Sequence, residues 1–99
     1  LAYSILFSPD VEKHLQLLTT RQRVIVLDNI DKQLKHQPTA ETRNRKPMRP
    51  NPVAPWELRI GNLRVYYDVE EAPKPVVYIL AVGIKQRNQV RIGKEVIDL

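Results

Sequence analysis

The stretch from Trp56 to Val69 constrains this chain more than any other. Apolar and polar residues alternate on both sides of Gly61-Asn62, and such a pair between alternating runs signals a two-residue hairpin turn of the II′ or I′ kind. With the turn there, Ile60 pairs with Leu63, Arg59 with Arg64, Leu58 with Val65, Glu57 with Tyr66 and Trp56 with Tyr67. Trp56, Leu58, Ile60, Leu63, Val65 and Tyr67 then share one face, which needs a core to pack against. Glu57, Arg59, Arg64, Tyr66 and Asp68 share the other. Two arginines directly opposite each other repel, by a few tenths to ~1 kcal/mol on an exposed sheet. That face either neutralises them with its carboxylates or collects cations for an anion.

The rest of the chain supplies the partners of this hairpin. Ala2 to Phe7 reads as a first strand, and Ser8-Pro9-Asp10 as a helix start with Pro at the first helical position. Val11, Leu15 and Leu18 recur at helical spacing, and Thr19-Thr20 caps a second helix. In that helix Val24, Leu27, Ile30 and Leu34 form the expected apolar stripe, and His36-Gln37-Pro38 ends it. Pro38 to Pro55 has five prolines and no period, apart from a short strand near Arg45 to Met48. With no periodic apolar anchor, it is the segment in which mobility is expected. Val76 to Ile84 is apolar on both faces, as a central strand should be, and Lys85 has the parity of Val77, Ile79 and Ala81. The tail from Val90 to Leu99 reads as a last strand. Helices followed by strands predict an α+β fold, in one domain spanning 1–99: an N-terminal strand, an α-helical hairpin, then a twisted antiparallel sheet with both helices on one face. The hairpin's apolar face should lie against Val24, Leu27, Ile30 and Leu34.

Charge narrows the partners. The chain has sixteen Lys and Arg against eleven Asp and Glu. The window from Arg43 to Tyr67 alone carries a net +5, equal to that of the whole chain. Such a balance points to a polyanion or an acidic protein. There is no cysteine, and His14 and His36 alone cannot build a typical zinc site, so neither a metal nor a cofactor is expected. Lack of cysteine also fits a reducing, cytoplasmic compartment. No apolar run approaches the ~20 residues of a membrane span, so no membrane partner is expected.

Glu57, Arg59, Arg64 and Lys85 are the candidate catalytic residues. RNA cleavage without metal needs a base for the 2′-hydroxyl, cations for the phosphorane and an acid for the leaving 5′-oxygen. Glu57 shares the face with both arginines and suits the base. Arg59 and Arg64 match phosphate oxygens with their forks, and Lys85 suits the acid. Arg45, Lys46, Arg49, Tyr66, Arg87 and Arg91 are the candidate RNA contacts around them. His14 is expected to be an exposed or half-buried helix residue.

The run from Trp56 to Val69, followed by Ala81-Val82-Gly83-Ile84-Lys85-Gln86-Arg87, resembles the RelE/ParE superfamily of bacterial toxins. Its R-x-G-x-x-R-V-x-Y core stands here as Arg59, Gly61, Arg64, Val65 and Tyr67. The resemblance implies the toxin of a type II toxin–antitoxin module, with a cognate antitoxin protein as partner. RelE-type members are ribosome-dependent mRNA endonucleases (mRNA interferases), which gives the ribosome and mRNA as further partners and no small-molecule ligand. ParE-type members poison DNA gyrase, and a degenerate toxin retained as an antitoxin-binding partner is a third alternative. By resemblance Arg64 matches the family's third-strand arginine, Arg59 its basic residue before the turn, Lys85 the one after the central strand and Arg49 its loop arginine. The sequence departs from the pattern in two places. Glu57 stands where RelE itself often has lysine, and no aromatic residue or histidine follows Ala81.

Overall fold

The computed structural model describes residues 2–99. Its elements run β1 (Ser4–Phe7), α1 (Pro9–Gln16), α2 (Thr20–Leu34), β2 (Arg45–Pro47), β3 (Trp56–Ile60), β4 (Leu63–Glu70), β5 (Val76–Gln86), β6 (Gln89–Ile92) and β7 (Glu95–Asp98). The strands form one sheet in the order β2-β3-β4-β5-β6-β7, and β1 joins β5. This is the expected α+β architecture. The β3–β4 hairpin has the register read from the sequence at all five pairs. Gly61 has φ +58° and Asn62 is not in the left-handed region, which fits a II′ turn rather than a I′ turn.

Local chemistry sets the helix starts. Pro9 opens α1 behind Ser8, whose side chain makes no capping bond. Thr19 and Gln22 form a complete capping box on α2: each side chain bonds the other's backbone N–H. A cap of this kind contributes ~1 kcal/mol. Among the described residues no helix is long and apolar enough to cross a membrane.

The main core lies between the helices and one sheet face. Leu58, Leu63, Val65, Tyr67, Val77, Ile79, Val82 and Ile84 meet Val11, Leu18, Val26, Ile30 and Leu34, with Trp56 and Ile60 partly buried beside them. The helix stripe is thus shifted from the expected one. Ile30 and Leu34 are buried as read, but Val24 and Leu27 are 62% and 43% exposed, and Val26 takes their place. Val24 to Leu27 are four consecutive apolar residues, so spacing alone does not fix the face. The geometry selects Val26, which stacks above Ile30 and Leu34 at intervals of four.

Three further details differ from the sequence reading. β1 pairs in parallel with the first half of β5, so the sheet is mixed. β6 takes the second half of the same edge of β5. The tail is two strands, not one: Gly93, at φ +62°, turns β6 into β7. Finally, β4 and β5 lose register between Tyr66 and Tyr67, which pair with Ala81 and Ile79 and leave Leu80 bulged out. Val77 and Ile79 therefore face the helices, while Ala81 and Lys85 face away from them. Simple alternation put all four on one face; the extra residue of the bulge reverses the parity partway along the strand.

Candidate active site

The sheet face opposite the helices is not simply open. Tyr66, Ala81, Val90 and Ile92 form a second apolar cluster there with Ala54, and Met48, Val53, Leu80, Ile97 and Leu99 pack against it. The proline-rich segment is what covers this face, so its anchor is apolar but not periodic. Asn51 holds it in shape: its Nδ2 donates to the carbonyls of Arg49 and Ala54, at 2.7 and 2.9 Å, while its Oδ1 accepts from the N–H groups of Val53 and Ala54.

Beside this cover lies a cavity of about 490 Å³ whose walls include Glu57, Arg59, Arg64, Lys85, Lys46 and Arg49. All four residues expected to do chemistry meet in it. The hairpin register places Arg59 opposite Arg64 and Glu57 two pairs further from the turn, on the same face. Glu57 settles the repulsion between the arginines. Its Oε1 accepts from Arg59 Nε at 2.7 Å, and its Oε2 lies 3.9 Å from Arg64 Nε. The Glu57 side chain is only 9% exposed, and Arg64 is 13% exposed against 50% for Arg59. A buried carboxylate requires such partners, since an uncompensated buried charge costs several kcal/mol. Arg64 is further fixed by its Nη1, which donates to the carbonyls of Gly61 and Leu63 at 2.7 and 2.9 Å. Arg59 is thus the guanidinium with freedom to move.

The expected RNA contacts divide. Lys46 and Arg49 line the cavity, with Lys46 Nζ 3.5 Å from Glu41. Arg45 faces the other way, because its pairing with Leu58 gives it the parity of the core. Its guanidinium binds the carbonyls of Gln33 and Ala40 and secures the end of α2. Arg87 sits on the β5–β6 turn at φ +59°, and exposed Arg91 pairs with Ile84; neither lines the cavity. Tyr66 is fully buried and presents no ring face to a ligand. Burial first, then the charge of nearby Glu57 and its hydrogen-bonding influence, pushes its hydroxyl's ionisation well above the ordinary tyrosine range, against the opposing pull of Arg64 and Arg59. Sequence reasoning missed Asp98, a second carboxylate lining the cavity from β7. Its signal was the Gly93 turn, which folds the tail back.

His14 lies outside this site. Half-buried, it accepts the N–H of Val82 on Nδ1 at 3.3 Å. Burial lowers its pKa, with Asp10 and Glu95 opposing.

No family model matches the sequence, and no curated protein matches it significantly. Among solved structures, a chain of the crystal structure of the toxin–antitoxin complex RelBE2 from Mycobacterium tuberculosis is similar. It superposes with a TM-score of 0.73 at 24% identity, over 86% of this chain and 100% of that one. The hairpin, the mixed sheet and the helical pair thus make up a RelE-like α+β fold, shared with a chain of that complex.

Proposed function

We propose that this chain is the toxin of a toxin–antitoxin pair and cleaves mRNA at the ribosome without metal, stopping translation in the cytoplasm. One observation carries the reading: a buried carboxylate, Glu57, clamped between two arginines on the wall of a cavity that also holds Lys85. Glu57 takes the proton of a 2′-hydroxyl. The resulting 2′-oxygen attacks the adjacent phosphorus, and Arg59 and Arg64 bind the charge that builds on the phosphorane oxygens. The bond to the 5′-oxygen breaks, and Lys85 supplies its proton. The products are a 2′,3′-cyclic phosphate and a 5′-hydroxyl. Lys46 and Arg49 extend the cationic surface along the flanking phosphates. The likeness to a chain of a toxin–antitoxin complex supports an antitoxin as the protein partner.

A second reading, poisoning of DNA gyrase without catalysis, is favoured by the lack of any aromatic residue or histidine after Ala81. Brief induction of the chain separates the two. Primer extension on a reporter mRNA, with plasmid supercoiling followed in parallel, should find discrete cuts within codons and unchanged DNA topology. Relaxed or cleaved plasmid with intact mRNA would replace the first reading with the second.

A further inference from the structure

Among the described residues, the Tyr66 hydroxyl is the buried side-chain polar atom left without a hydrogen-bond partner. Phenylalanine would fill the same space among Ala54, Ala81, Val90 and Ile92, so packing does not account for the oxygen. An unmade hydrogen bond in a buried site is unfavourable. Its position supplies a reason: Tyr66 stands directly opposite Glu57 in the hairpin register, on the same face. The hydroxyl is near enough for the carboxylate to raise its pKa, yet it makes no well-formed hydrogen bond to it.

We propose that Tyr66 is a positioning residue for Glu57, taking over as hydrogen-bond donor to the carboxylate when a phosphate draws Arg59 away. The charged groups around Glu57 leave this task open. Arg59 holds Oε1 but is half exposed, and is the cation best placed to turn toward an incoming phosphate. Arg64 is 3.9 Å from Oε2 and already committed to two turn carbonyls. Lys46, Arg49 and Lys85 line the cavity without an ion pair to Glu57, and Asp98 can only repel it. Once Arg59 leaves, a buried carboxylate faces a single long contact, and the fixed Tyr66 ring carries the adjacent donor. The shift of the tyrosine toward higher pH keeps its proton in place through neutral pH. Tyr66 keeps that proton throughout; the one abstracted from the RNA goes to Glu57.

The inference rests on Glu57 as the base, and two readouts separate the claims. In protein labelled with ¹³C at tyrosine Cζ, titration with inorganic phosphate should shift the Tyr66 resonance. The shift should vanish in Glu57→Leu, which offers no acceptor. In cleavage assays, Tyr66→Phe should lower kcat about tenfold with KM unchanged, and should add no loss to Glu57→Gln. A Tyr66 resonance that ignores phosphate, or a Tyr66→Phe loss that persists in Glu57→Gln, overturns the inference. If the wild-type protein cleaves no RNA, the proposed function fails, and the phosphate titration decides the hydroxyl's role by itself.

Discussion

Tyr66 and Tyr67 are adjacent, both fully buried, and on opposite faces of β4, so removing each hydroxyl isolates what its partner contributes. The Tyr67 hydroxyl crosses the core and donates to the Pro38 carbonyl at 2.6 Å, tying the end of the helical layer to the sheet. Its ring stacks on Trp56 with centroids 6.1 Å apart and planes 23° from parallel. Tyr67→Phe keeps the stacking and deletes the bond. Pro38 is itself fully buried, so its carbonyl is left without a donor. The space of one hydroxyl is too small to admit a water in its place. Leaving such a group unsatisfied costs about 1–3 kcal/mol. For a domain of this size 1 kcal/mol is roughly 4–8 °C in Tm. Tyr66→Phe removes a buried hydroxyl that has no partner, so no bond is lost and stability should hold or rise, by up to about 1 kcal/mol. Urea unfolding of the two variants at constant m-value measures both. The expected result is a midpoint lowered by roughly 1 M for Tyr67→Phe and one unchanged or raised for Tyr66→Phe. Equal losses would refute the argument, because they would mean that ring packing, and not the Pro38 bond, sets the cost.

Three further outcomes follow from other positions. A methyl at Gly83 would lie 2.5 Å from the Arg91 carbonyl oxygen and 2.9 Å from side-chain carbons of Val90 and Ile92. Gly83→Ala should therefore push β6 away and cost about 1–3 kcal/mol by urea unfolding. Arg87 holds a left-handed conformation that favours glycine, so Arg87→Gly should raise stability by up to about 1 kcal/mol in the same assay. The folded-state pKa of His14 is lowered, so the unfolded chain binds a proton more readily. The stability this group contributes is complete above its unfolded value of 6.5 and is lost as pH falls through the lower folded value. The urea midpoint should drop between pH 7.5 and 5, and drop less in His14→Gln.

The hairpin was legible because two independent signals agreed. Gly61-Asn62 fixed the turn, and alternation with a period of two fixed the faces, so the Arg59–Arg64 and Glu57–Tyr66 pairs followed. The meeting of Lys85 with them was also anticipated, though by a parity argument that the bulge at Leu80 undoes at Val77 and Ile79. A bulge leaves no mark in an apolar run, and this one falls before Lys85, so the error cancels at that residue. The inner face of α2 was hidden by the run Val24 to Leu27, where every helical phase finds an apolar residue. The second apolar cluster escaped because its members come from the proline segment, from β4 and β5, and from the tail, with no common period. That is why Tyr66 read as an exposed contact and Asp98 did not appear. Arg45 read as a ligand for RNA because charge alone does not report parity; its pairing with Leu58 turns it toward the carbonyls that end α2.

The central claim is that Glu57, clamped by Arg59 and Arg64, is the base of an RNA-cleaving site. The most direct measurement maps the ends of the products when purified protein acts on mRNA bound to ribosomes, with Glu57→Gln alongside. The account predicts 2′,3′-cyclic phosphate and 5′-hydroxyl ends from the wild-type protein. It predicts a rate lower by about 10²–10⁴-fold from Glu57→Gln, the usual contribution of a positioned base. Ends bearing a 5′-phosphate, or undiminished cleavage by the folded Glu57→Gln variant, would contradict it.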